Sequence, residues 1–291
     1  MNVLSLFDGM SCGQIALERA GIKVNNYFAS EIDKHAILVT QHNYPNTIQL
    51  GDVTKIDFDV LPQIDLVIGG SPCQGFSFAG KQLNFEDPRS KLFFEFVKAV
   101  EILMPKYFFL ENVVMKKEYQ NEISKLLGVD PIKVNSNLIS AQNRNRLYWT
   151  NIPNFLLPKD RLIFLSDIIE CGAVDRDKSY CLDANYWKGT NIEQYITKAR
   201  RQIVIHTPIA FTESRTEEAK RIRQEYSKKY GRDFSPRRGK ELTPIKDGKM
   251  NCLTSTFSIK EHTLIDEKIQ YRKLTPLECE RLQTLPDQYT N

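Results

Sequence analysis

The sequence predicts an α/β fold: a mostly parallel sheet flanked by helices, with a smaller second domain. Three observations predict it. Short apolar runs stop abruptly at glycine or at a polar residue, as Leu66, Val67 and Ile68 do before Gly69, and Tyr107 to Leu110 before Glu111. That is how buried parallel strands read. Stretches of helical spacing recur between these runs. The alternation fades after Pro153, where turn residues and basic charge take over.

Taken in order, Val3 to Phe7 is a strand and Asp8 to Gly13 a glycine-bearing turn. Gln14 to Ala20 follows as a helix stopped by Gly21. Tyr27 to Ser30 is a second strand ending at Glu31, and helix signals resume from Lys34 to His42. Strand, glycine turn, helix, strand and acidic residue is the plan of a mononucleotide-binding βαβ unit, although the turn is not GxGxxG. A carboxylate at the end of the second strand can accept ribose hydroxyls. A third short strand, Thr47 to Leu50, leads to Gly51-Asp52-Val53. Asp52 is placed either for an adenine amino group or as a helix N-cap.

The stretch from Asp65 to Gly80 organises the rest. Gly69 and Gly70 permit backbone that other residues resist. Pro72 fixes φ just before Cys73. Cys73 thus sits at the carboxyl end of a strand, where open α/β sheets build their sites. Two readings fit it: a buried structural thiol or a reactive one. The polar loop that follows, to about Lys91, is long enough to act as a lid. Ser90 to Leu103 is a helix with apolar residues at Leu92, Phe93, Phe96, Val97, Val100 and Leu103. The next strand ends at Glu111, and a carboxylate beside a buried strand is costly unless paired or used. Cys73 and Glu111 are therefore expected to face one crevice. Tyr119 to Leu127 reads as a helix and Val134 to Ile139 as the start of a strand. Gln142, Arg144 and Arg146 then share one face at period two, for anion or base contacts or as a surface strand.

The boundary is placed between residues 1–160 and a second domain at 161–291. Net charge is +4, but between Ile196 and Met250 fifteen Lys or Arg stand against seven Asp or Glu, leaving −4 for the remainder. Such a basic segment suits a polyanion, or is a solvated charged helix over Glu213 to Lys229. Thr275, Pro276 and Glu278 mark a capped helix near the end. Six scattered cysteines without a CxxC pair read as reduced thiols in a cytoplasmic protein, not a disulfide frame or metal site. No secretory signal or membrane-spanning stretch is visible.

Seven motifs occur in one order: Phe-Asp-Gly-x-x-x-Gly, Glu31, Gly51-Asp52-Val53, Gly-Gly-Ser-Pro-Cys-Gln-Gly-Phe-Ser, Glu-Asn-Val, Gln-x-Arg-x-Arg and Arg-x-Leu-Thr-Pro-x-Glu-x-x-Arg-Leu-Gln-Thr-x-Pro. Together they resemble the DNA cytosine-5 methyltransferases of bacteria and phages, over nearly the whole chain apart from the basic segment. The resemblance implies an S-adenosylmethionine-dependent methyltransferase sheet (Rossmann-like) with a target-recognition domain. It implies that Phe7, Gly9, Glu31, Asp52, Val53, Pro72 and Leu92 line the cofactor pocket, with Glu31 on the ribose and Asp52 on the adenine. It implies Cys73 as nucleophile, Glu111 as its partner at the base, and Arg144 and Arg146 as further active-site contacts. The partner implied is double-stranded DNA with its cytosine flipped out, with a cognate restriction endonuclease as a second partner; a monomer is expected. Base-reading residues are expected within 165–260, with Arg237 and Arg238 as candidates. A tRNA cytosine methyltransferase and a non-enzymatic DNA-binding homologue are the alternatives. The family usually continues to a Gly-Asn motif and a closing helix, and the sequence stops at Asn291 without them.

Overall fold

The computed structural model describes residues 1–72, 88–189, 191–205, 211–233, 240–244 and 271–291. Cys73, the loop expected to follow it, and Arg237 and Arg238 lie outside the described residues.

Seven strands form one sheet: β1 (Asn2–Leu6), β2 (Asn26–Ser30), β3 (Ile48–Gln49), β4 (Leu66–Gly69), β5 (Tyr107–Val113), β6 (Ile132–Asn135) and β7 (Asn145–Thr150). Their order is β3-β2-β1-β4-β5-β7-β6. The first five run parallel, and β7 is antiparallel to both of its neighbours. Helices α1 (Cys12–Arg19), α2 (Lys34–Asn43), α3 (Pro88–Leu103) and α4 (Lys117–Leu127) connect the strands. Leu4, Leu6 and Val67 pack with Phe93 and Phe96 of α3, whereas Val3, Tyr27, Ala29 and Leu66 pack with Leu17 of α1. Successive strand residues thus enter different clusters, which is why these strands read as unbroken apolar runs. A Cβ on Gly69 would stand 2.9 Å from the Phe96 ring, so this glycine lets α3 close on the sheet.

Two expectations are corrected here. Glu111 lies within β5 rather than after it, because β7 extends the ladder, pairing Glu111 with Tyr148 and Val113 with Arg146. The strand expected to run to Ile139 stops at Asn135, whose side chain accepts the Asn137 amide at 3.2 Å and caps a 3₁₀ turn over Ser136–Leu138.

The chain divides into two compact units: Met1–Ile169, Arg176–Gln202 and Leu274–Asn291 in one, Glu170–Asp175 and Ile203–Lys273 in the other. The boundary expected at 160/161 therefore differs from the division observed. Hydrogen bonds explain the difference. Lys178 Nζ donates to the carbonyls of Asn137, Ser140 and Ile163, and Gln142 joins Leu182 to Leu282. The first unit also contains α5 (Leu165–Ile168) and α6 (Ile192–Lys198). The second holds β8 (Ile203–Ile205), β9 (Phe211–Arg215), α7 (Glu217–Tyr230), β10 (Lys240–Pro244) and β11 (Tyr271–Lys273). Strand β9 pairs antiparallel with β10, and β8 with β11. Helix α7 starts later than Glu213, because Thr216 caps it by accepting the Ala219 amide. The last helix, α8 (Pro276–Leu282), carries the expected capping box: Thr275 accepts the Glu278 amide and Glu278 accepts the Thr275 amide. Among the described residues no helix is long and apolar enough to cross a membrane.

Candidate active site

The site follows from the register of the sheet. Ser30 pairs with Leu6, Leu6 with Gly69, and Gly69 with Leu110. One residue further along each strand stand Glu31, Phe7, Gly70 and Glu111. Four of the expected residues or their neighbours thus form a line across the carboxyl edge of the parallel strands. The sheet order turns at β1, between β2 and β4, and crevices at such turning points take ligands.

The left half of this line is a carboxylate-braced turn. Phe7, Gly9 and Ser11 have left-handed backbone, with φ of 59°, 62° and 60°. Glu31 Oε2 accepts the Gly9 amide at 2.8 Å, and Oε1 accepts the Ile32 and Asp33 amides at 2.8 Å each. Three donors occupy three of about four acceptor sites on the carboxylate, which leaves one for a ligand hydroxyl without disturbing the turn. Asp8 accepts from Tyr27 Oη at 2.8 Å and from Ser11 Oγ at 2.5 Å, and its own burial raises its carboxyl above the ordinary range. A Cβ on Gly9 would meet nothing within 4 Å, so the space over the turn is open. Ile32 is 74% exposed beside Glu31, a residue the sequence reading passed over. In the sequence its signal is a β-branched residue directly after the acidic one.

Asp52 is an N-cap. Its Oδ1 accepts the Thr54 amide at 3.0 Å and the Thr54 hydroxyl at 2.8 Å, and these bonds hold its carboxyl below the usual range. Among the described residues the Oδ2 oxygen has only Lys55, 3.8 Å away. Ser30 Oγ donates to the Gly51 carbonyl at 2.7 Å and ties this corner to β2. Val53 is buried in the main core cluster, and Phe7 and Leu92 pack against it half-buried. Open room, a fixed carboxylate and an exposed aliphatic face fit a nucleoside-bearing cofactor.

The right half is built around Glu111. Arg146 Nε stands 2.6 Å from Glu111 Oε1, a close ion pair, and Arg144 Nη2 lies at 3.8 Å. A Cβ on Gly70 would be 3.2 Å from Glu111 Oε2, so the glycine makes room for this carboxylate. The side chain of Glu111 remains 31% exposed, so burial does not enclose it. Arg144 also donates through Nη1 to Cys181 Sγ at 3.6 Å. The phenol of Tyr148, opposite Glu111, is pushed up first by burial and then by the Glu111 charge. Gln142 does not join the two arginines. It is buried, its amide donates to the Leu282 carbonyl at 3.2 Å, and its oxygen accepts the Leu182 amide at 3.0 Å. Strand β7 begins at Asn145, so period two does not extend back to it.

Asn112 is a residue whose position was not anticipated. It is 1% exposed, and its Nδ2 donates to Ser71 Oγ at 3.1 Å and to the Ser71 carbonyl at 3.4 Å. It thereby pins the chain two residues before Cys73. The signal was its place on the buried side of β5 with Phe108 and Leu110. Asn112→Ala leaves Ser71 Oγ and the Val113 amide without this partner in a dry setting. Urea denaturation is expected to show a loss of about 1–3 kcal/mol. A loss under about 0.5 kcal/mol, inside the range of an ordinary surface change, would remove Asn112 from this role.

The fold and the line of residues define an α/β protein with a mostly parallel sheet and an acid–arginine cluster at the carboxyl edge of its strands. A family profile described as C-5 cytosine-specific DNA methylase matches residues 1–129 and 133–291. The chain belongs to that family. Orphan methyltransferase M.SPRI of Bacillus phage SPR is 36% identical over 173 residues, which is 55% of this chain and 39% of that protein. Type II methyltransferase M.NlaIV of Neisseria lactamica is 42% identical over 114 residues, 38% of this chain and 27% of that protein. The chain thus matches less than half the length of these curated relatives. The solved structure of the Entamoeba histolytica methyltransferase EhMeth aligns over 65% of this chain and 72% of that chain, with a TM-score of 0.55 and 18% identity, a likeness of fold.

Proposed function

We propose that this chain transfers a methyl group from S-adenosylmethionine to carbon 5 of a cytosine flipped out of double-stranded DNA. The observation that carries this reading is Glu111, within β5, beside Gly70 and paired with Arg146 and Arg144, where Gly70 stands three residues before Cys73 in sequence. The first compact unit would hold cofactor and base, and the basic second unit would contact the DNA, making binding salt-dependent. Phe7, Gly9, Glu31, Asp52, Val53, Pro72 and Leu92 form the cofactor side, with Ile32 as an apolar face for the adenine.

When bound, S-adenosylmethionine supplies an electrophilic sulfonium methyl group. Carbon 5 of cytosine is a poor nucleophile, so Cys73, as thiolate, adds to carbon 6 and makes the ring an enamine. Negative charge then builds on the ring. Glu111, with Arg146 Nε 2.6 Å from its Oε1, would act as the acid that donates a proton to ring N3. Arg144 is within reach of both Glu111 and an approaching base carbonyl. The enamine carbon 5 would then take the methyl group, a base such as water would remove the carbon 5 proton, and Cys73 would leave carbon 6 as thiolate while the N3 proton returns to Glu111. Extruding the base costs a few kcal/mol, which phosphate contacts offset. A cognate restriction endonuclease and a monomeric state belong to the same reading.

The test is bisulfite sequencing of plasmid DNA from a methylation-free host expressing this chain, with Cys73→Ala beside it. Cytosines modified in one sequence context by the wild type, and by none of the variant, are the expected result. Modification that survives Cys73→Ala would sink the covalent route. Modified tRNA with unmodified plasmid would sink DNA as the substrate.

A further inference from the structure

We propose that Tyr289 is a positioning residue for the cofactor turn, holding the Met10 carbonyl so that the turn keeps its left-handed backbone at Phe7, Gly9 and Ser11. The proposal rests on the reading above, that this turn borders S-adenosylmethionine.

The turn needs holding, because left-handed backbone at Phe7 and Ser11 is unfavourable for residues other than glycine. Its neighbours hold it at several atoms. Asp8 donates its amide to the Ser30 carbonyl at 3.1 Å, Tyr27 and Ser11 bond the Asp8 carboxylate, and Glu31 takes the Gly9 amide. Thr40 Oγ1 donates to the Gly9 carbonyl at 3.4 Å. Met10 is reached from the far end of the chain: Tyr289 Oη donates to its carbonyl at 2.6 Å.

Tyr289 is itself rigidly mounted. Its ring is buried with Ile15 and Leu285, against Met10, Val39 and Tyr44. Its carbonyl accepts from Asn43 Nδ2 at 2.9 Å. The Glu280 carboxylate gathers the adjoining backbone, accepting the Gln288 amide and the Thr290 amide at 2.7 Å each. Arg19 Nη1 donates to the Thr284 carbonyl at 2.6 Å. A buried carboxylate spent on two backbone amides and the Thr290 hydroxyl fixes a strap, and the strap presents one hydroxyl to the turn.

The test is Tyr289→Phe, which keeps the ring in its cluster and removes only the hydroxyl. Tyr44→Phe is the control, since it removes a hydroxyl bonded to Glu18 at 3.0 Å at the edge of the same cluster. Hydrogen exchange at the amides of residues 9–11 is measured without cofactor, and the Kd for S-adenosylmethionine by calorimetry. Tyr289→Phe is expected to speed exchange there and to raise Kd about five- to tenfold, the size of one lost hydrogen bond. Tm is expected to fall by only about 2–4 °C and DNA affinity to stay close to wild type, and Tyr44→Phe should change neither exchange nor Kd. A Kd within about twofold of wild type overturns the proposal, as does an equal rise in Tyr44→Phe, which would mean general loosening of the cluster. If wild type binds no S-adenosylmethionine, the reading of the site fails and takes the proposal with it. Binding by wild type with Tyr289→Phe unaffected fails the proposal alone.

Discussion

Glu111→Gln is expected to lower the single-turnover rate of methyl transfer by about 10²–10⁴-fold while the protein stays folded and binds cofactor normally. Glutamine keeps the length and volume of the side chain, so the gap left by Gly70 is still filled. It cannot carry an acid proton to ring N3. It also dissolves the ion pairs with Arg146 and Arg144, at 2.6 and 3.8 Å. The three side chains are 14–31% exposed, so the pairs contribute only about 1 kcal/mol to folding. The expected signature is therefore a collapse in rate with a small shift in denaturation midpoint. Cofactor Kd should be unchanged, because Glu31 and the turn it braces lie on other strands. Retention of more than about a tenth of the rate would mean that Glu111 positions the arginines and does not move a proton.

Strands β1 and β2 were legible because successive residues are buried, so few polar residues interrupt them and their ends are abrupt. From such runs the sequence alone places Phe7, Glu31, Gly70 and Glu111 at strand ends. Their alignment into one line was not legible, since register is set by pairing partners far apart in sequence. Glu111 illustrates the limit. Its strand reads as ending at Leu110, yet β7 carries the ladder on to Val113, and β7 can do so only as an antiparallel strand arriving from residue 145. Asp52 was open to two uses; its cap is now visible, and its second oxygen remains the feature that suits a base amino group.

Long-range polar contacts account for what the sequence did not show. Gln142 looks like an arginine neighbour at period two, but it is a buried bracket between residues 182 and 282. The place of α8 is hidden for the same reason: its capping box is local and readable, whereas Arg19, Asn43 and Met10, which bind the residues after it, lie more than 240 positions away. In the second unit β9 and β10 are Phe-Thr-Glu-Ser-Arg and Lys-Glu-Leu-Thr-Pro. With so few apolar residues, neither has an alternation that would separate a strand from a loop.

Gly13→Ala should lower stability by about 1–3 kcal/mol, against the usual sign of that change. In an open helix site alanine would gain about 1 kcal/mol over glycine. Here a Cβ would stand 2.4 Å from Ile68 Cδ1 and 2.6 Å from Tyr27 Oη. The isoleucine methyl is the end of a flexible side chain and can turn away. Tyr27 cannot, because its ring is locked among Val3, Leu17, Ala29 and Leu66 and its hydroxyl donates to Asp8 Oδ1 at 2.8 Å. Either α1 lifts off the sheet or the Tyr27–Asp8 bond breaks, and both disturb the turn at Phe7 and Gly9. Cofactor affinity should therefore fall together with the urea midpoint. The double variant Gly13→Ala with Tyr27→Phe separates the causes. Removing Oη relieves the polar half of the clash, so the two changes should cost less together than the sum of each alone, by about 1 kcal/mol. Strict additivity would place the strain at Ile68 instead, and the helix would then be docked by its apolar contacts rather than through Asp8.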